Sequence, residues 1–203
     1  RINRLKWVTA QIFYIISATF IYMVVVLSAS VMLCMNNSYS GNIWSKTAAI
    51  LGYSGEGQLI AIPAFVKTLE MSNPASCAVT IFILILLYTL TMVLLMMLFN
   101  ILKGHFAGVI SAFIYMIFGF IMNPENLILI FKLPDELAYK ARVWVGWMSP
   151  LNHATYHMHD FGYDMLPTLQ QTYILFGVLI IILAALCTFF IRRYNFDFRG
   201  TEV

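Results

Sequence analysis

Residues 75–102 read ASCAVTIFILILLYTLTMVLLMMLFNIL, without one charged side chain. A helix rises about 1.5 Å per residue, so this run is long enough to cross a hydrocarbon core of about 30 Å. Three more runs share the property: Trp7–Met35, Phe106–Met122 and Tyr173–Ile191. Lipid offers backbone groups no partner, so each run is expected to be a helix bonded within itself. The expected fold class is all-α: a polytopic transmembrane bundle of four spanning helices at 7–35, 75–102, 106–122 and 173–191.

The rest of the 203-residue chain leaves little for a second domain, and one membrane domain over 1–203 is expected. Charged residues are 10% of the chain, against about 25% in soluble domains. The uncharged spans exclude a proton- or ion-coupled carrier built on intramembrane acids and bases. A net charge of +3 gives no reason to expect a nucleic-acid partner. The phosphate-loop pattern G-x-x-x-x-G-K-[ST] is missing, so the chain carries no such ATPase site of its own. Cys34, Cys77 and Cys187 lack metal-ligand spacing and read as small apolar side chains. A Cys34–Cys77 disulfide stays open, because both should lie near one membrane face. The chain starts at Arg1, and its first run is too long for the apolar region of a secretory signal. The expectation is a chain whose N-terminal spans precede Arg1.

Basic residues flanking spans mark the cytoplasmic side. Arg1, Arg4, Lys6, Lys103, Arg192 and Arg193 crowd the span ends on the side that carries both termini. The acids lie mostly in the two long connections, 36–74 and 123–172. Both termini and the Lys103 turn are therefore expected in the cytoplasm, and the long connections outside.

The first span carries a polar stripe of Gln11, Tyr14, Ser17 and Tyr22. Such groups avoid lipid, so they are expected to line a substrate path or to bond to other helices. The third run carries Gly104, Gly108, Ala112, Tyr115 and Gly119 at three- or four-residue intervals, a surface for close helix contact. Contact within the chain is expected before a dimer seam. Asn100, at the end of the second span, is placed to cap or to bond across helices.

Outside, residues 36–74 read as a loop with short surface helices, with the Ile60–Leu69 stretch broken by Pro63. Ser72-Asn73-Pro74 opens the second span with Pro at its first turn. Pro134-Asp135-Glu136 opens an interfacial helix whose apolar face would be Leu137, Ala141, Trp144, Val145 and Met148. Ser149-Pro150 then reads as a cap and first residue, Gly162 as a stop, and 150–161 as a second short helix. His153, His157 and Asp160 would share one face of it, with His159 pointing away. Seven residues of helix rise about 10 Å, too far for one metal ion to join all three. That trio is a weak metal alternative, and no metal is expected.

Several pieces occur in a familiar order. They are Arg4-x-Lys6-Trp7-x-x-x-Gln11-x-x-Tyr14 with Tyr22, Asn42-Ile43-Trp44-Ser45-Lys46, Asn73-Pro74 and Phe99-Asn100 before Gly104. Trp147-Met148-Ser149-Pro150-Leu151-Asn152-His153, Leu166-Pro167-Thr168 and Arg192-Arg193 follow. In this order they resemble ABC-2 type transporter permeases of bacteria. The resemblance implies six helices per permease, of which these would be the last four, with a coupling helix and two spans before them. It implies a second permease copy or a homologous one, and two cytoplasmic ABC ATPase subunits. ATP and Mg would bind to those subunits, with no cofactor in this chain. It places the protein in the bacterial cell membrane as an exporter subunit, with Arg1, Arg4, Lys6, Lys103, Arg192 and Arg193 towards the ATPase. The alternatives are a membrane-embedded metal-dependent enzyme using His153, His157 and Asp160, and a non-transporting sensor or assembly protein.

Overall fold

A computed structural model describes residues 3–37, 41–55, 64–162 and 164–192. Arg1, Ile60, Pro63 and Arg193, which figure in the reading above, lie outside the described residues. Among the described residues the chain is helical and has no strand.

The first long helix, α1 (Arg4–Cys34), starts where the Asn3 side chain accepts a bond from the Leu5 N–H. Two short helices follow, α2 (Lys46–Tyr53) and α3 (Ala64–Met71). Ser45 caps α2 by accepting from Ala48 N at 3.1 Å, and Tyr53 on α2 donates to Glu70 on α3. The central helix α4 (Pro74–Lys103) has Pro74 in its first turn, where a missing N–H costs nothing. It ends at Gly104, whose φ of 90° suits a residue without Cβ. After this one-residue turn, α5 (His105–Ile121) doubles back along α4.

The third predicted run does not go straight on. At Asn123 the chain breaks by 74° into α6 (Pro124–Phe131), a helix absent from the sequence reading. Asn123 caps it and Pro124 opens it, and these two residues account for the break. Among the described residues three helices, α1, α4 and the final one, are therefore long and apolar enough to cross a membrane. The number is four if the bent α5–α6 pair forms one span.

A 3₁₀ turn (Asp135–Leu137) leads into α7 (Ala138–Met148). The rest of the chain covers part of the expected apolar face. Ala141, Val145 and Gly146 point inward, while Trp144 and Met148 are exposed. Gly146 decides this, because the Leu166 side chain lies against it, where any Cβ would collide. Ser149 and Pro150 start α8 as the sequence indicates, but α8 covers only Pro150–His153. The predicted 150–161 helix stops at Thr155, which is extended and whose N–H bonds to the Asn152 carbonyl at 3.0 Å instead of continuing the helical ladder to Leu151. A 3₁₀ turn follows at Tyr156–Met158. The last helix, α9 (Leu169–Ile191), starts ahead of residue 173, because Thr168 and Gln171 form a reciprocal capping box.

In the bundle α4 packs against α1, α5 and α9, and α1 also touches α9. One apolar cluster lies where α1 begins and α4 and α9 end, around Val8, Leu94, Leu98, Leu183 and Cys187. A second lies at the opposite end, where Cys77, Leu84 and Tyr156 meet Trp44 and Phe161. All three cysteines are free, so Cys34 and Cys77 form no disulfide.

Candidate functional site

The start of α1 and the end of α9 lie at the same end of the bundle. Arg4 Nη1 donates to the Arg192 carbonyl at 2.8 Å, capping a helix C-terminus with a cation. Lys6 and Lys103 are exposed. This end therefore presents Arg4, Lys6 and Arg192 with little cover.

A cavity of about 440 Å³ opens between α1 and α4, near the end of α9. Trp7, Gln11, Met96, Asn100 and Ile191 line it. Of the predicted polar stripe, only Gln11 meets it. Tyr14 is 68% and Tyr22 62% exposed, and Ser17 is exposed too. The stripe thus turns away from this chain's other helices. Of its most apolar window α1 buries 11%, against 22% for α4 and α9, so α1 has the least cover of the three.

The glycine surface of α5 faces inward on both flanks. At Gly108 an added Cβ would overlap Asn100 Oδ1 and stand 2.7 Å from the Met96 carbonyl oxygen, so α4 and α5 touch backbone to backbone. Gly119 lets the Leu151 side chain of α8 approach closely: an added Cβ would stand 2.8 Å from Leu151 Cβ. Ser149 completes that contact, its buried hydroxyl donating to the Gly119 carbonyl at 3.4 Å. Ala112 is half-buried on the same helix. Tyr115 stacks on Tyr88 of α4 with ring centroids 5.1 Å apart. Asn100 Oδ1 is buried without a hydrogen-bond partner, so it neither caps nor bonds across helices through that atom. The opposite side of the α4–α5 pair has an apolar groove of about 570 Å³ with Lys103 at one end.

The histidine segment is arranged differently from the sequence expectation. With 150–161 broken at Thr155, His153, His157 and Asp160 share no helix face. Asp160 instead folds its own loop, accepting from Gly162 N at 2.7 Å and Asp164 N at 3.0 Å. Among the described residues no three His, Cys, Asp or Glu side chains gather as metal ligands. His153 is joined instead by His159, the residue expected to point away. Both are buried, at 2% and 0% exposure, and both reach the hydroxyl of Thr172 in the first turn of α9. Burial holds both imidazoles below the ordinary histidine range, opposed by bonds to backbone carbonyls. His157 is held low first by burial and then by the charge of Lys67. Lys67 itself pairs with Asp164 and donates to the His159 carbonyl at 2.7 Å, fastening α3 to the loop before α9.

The sequence reading missed Thr172 and His159. The available signal was the Thr168-x-x-Gln171 capping box, which moves the start of α9 and places Thr172 in its first turn. No family model, curated protein or solved structure matches this chain.

Proposed function

We propose that this chain is the transmembrane permease subunit of an ATP-driven exporter of the ABC-2 type. It moves a substrate across a bacterial cell membrane with energy from a separate cytoplasmic ATPase subunit. The carrying observation is the stripe of Tyr14, Ser17 and Tyr22, exposed on the least covered long helix. Hydroxyl groups on a membrane helix are poorly matched to lipid tails and call for a polar or protein neighbour. A second permease copy, a homologous one, or spans preceding Arg1 would supply it, with the substrate path running along the seam. Gln11 continues that path towards the cavity beside Asn100. The basic end formed by Arg4, Lys6, Lys103 and Arg192 faces the ATPase in this reading. Both termini are then cytoplasmic, and the short helices α2, α3 and α7 lie at the outer interface. ATP and Mg bind to the partner, and this chain carries no catalytic residue.

The test is reconstitution in liposomes with the ATPase encoded nearest to it. The expected result is ATP hydrolysis stimulated only when both subunits are present, and lost when Tyr14 and Tyr22 are both replaced by Leu. Substrate movement by this chain alone, or purification with no nucleotide-binding partner, would overturn the reading.

A further inference from the structure

We propose that His153, His159 and the Thr172 hydroxyl form a binding site for one proton, shared between the two imidazoles. The inference does not depend on the transport reading.

Four hydrogen bonds define the site, and the Thr155 carbonyl also acts on His159 as an acceptor. His153 Nε2 lies 3.0 Å from the Trp147 carbonyl oxygen, and His159 Nδ1 lies 3.1 Å from the Tyr156 carbonyl oxygen. Carbonyl oxygens only accept, so each of these ring nitrogens must carry hydrogen. The remaining nitrogens, His153 Nδ1 and His159 Nε2, approach the single Thr172 oxygen at 2.8 and 3.0 Å. With both rings neutral, each has spent its only N–H on a carbonyl. Both free nitrogens are then acceptors, and the hydroxyl has one hydrogen to give. One of the two must face an oxygen lone pair with no hydrogen between. Shifting a ring to its other tautomer only moves the mismatch to a carbonyl. One added proton completes the set: one imidazolium donates to Thr172, and Thr172 donates to the other ring. A second proton would put two cations in one buried pocket, so the site stops at one.

The surroundings set the affinity. Phe176 of α9 packs edge-on against His153, with ring centroids 6.2 Å apart. From α3, Lys67 approaches the His159 carbonyl, its charge balanced by Asp164. His157 and Tyr156 lie on the same turn, Asp160 follows it, Tyr173 adjoins on α9 and Cys77 on α4. Burial disfavours the proton, and the unsatisfied contact in the neutral cluster favours it. The proton's structural effect is to complete the seat of the 149–162 segment on the first turn of α9.

The test uses the full chain in lipid nanodiscs with ¹⁵N-labelled histidine; there are four histidines to assign. Expected at high pH are opposite tautomers, Nε2–H on His153 and Nδ1–H on His159. On acidification the two sets of shifts move together with one midpoint. In Thr172→Val the proton loses its acceptor, and in His159→Leu the neutral cluster has no mismatch. Each midpoint should fall by about one pH unit or more, the difference expected between a charged and a neutral hydrogen bond. Thr172→Ser should keep the wild-type midpoint. A midpoint in Thr172→Val equal to or above wild type overturns the proposal, as does the same result in His159→Leu. If His159→Leu does not fold, the Val and Ser variants decide alone.

Discussion

Gly108→Ala tests the close contact between α4 and α5. The new Cβ would overlap Asn100 Oδ1 and lie 2.5 Å from Asn100 Cγ and 2.7 Å from the Met96 carbonyl oxygen. Ordinary contacts of this kind need about 3.5–4 Å. The Asn100 amide can rotate, but the Met96 carbonyl belongs to the α4 backbone and yields only if α5 moves outward. Overpacking of this sort costs about 1–3 kcal/mol. For a chain of this size that is a melting-temperature fall of roughly 2–12 °C. The control is Gly177→Ala in α9, where an added Cβ meets nothing within 4 Å. It should be neutral or slightly stabilising, since Ala exceeds Gly in helix propensity by about 1 kcal/mol. Adding Asn100→Ala to Gly108→Ala removes the side-chain part of the clash and should recover part of the loss. The measurement is thermal unfolding in one detergent, followed by tryptophan fluorescence and helical circular dichroism. Equal melting temperatures for Gly108→Ala and Gly177→Ala would refute the close α4–α5 contact. An N100A/G108A pair no better than G108A alone would show that the amide is not the obstacle.

Three other outcomes follow from the same geometry. Thr168→Ala, which removes the cap on α9, should cost about 1 kcal/mol and speed amide exchange in the first turn of α9, leaving the turns after Phe176 unchanged. Lys67→Met removes the positive charge that helps hold His157 low, so the His157 midpoint should rise towards the ordinary value; a fall in the ¹⁵N titration would contradict the placement of α3. Cys34 is exposed while Cys77 and Cys187 are buried, so a small maleimide on the solubilised native protein should label one thiol quickly and the other two only after unfolding.

The sequence by itself determined which segments are long and apolar. A run such as 75–102 has no partner for its backbone except itself, and no charge to hold it in water. It also marked the helix ends at Pro74, Gly104 and Ser149, since a cap or a special φ is decided by a few adjacent atoms. It marked Gly108 and Gly119 as surfaces for close contact, because their spacing repeats with the helical turn. What it could not fix depends on atoms distant along the chain. The 74° break before Pro124 was open to reading from Asn123-Pro124, yet the apolar residues on both sides masked it. Which residues of α7 turn inward was set by Leu166 against Gly146, a contact that helical periodicity does not contain. The exposure of Tyr14 and Tyr22 depended on where α4 and α9 settle against α1. The meeting of His153 with His159 needed both the early end of α8 at Thr155 and the arrival of Thr172 from α9. A hydroxyl shared between two rings is a property of three separate backbone positions, so only the tertiary fold could create it.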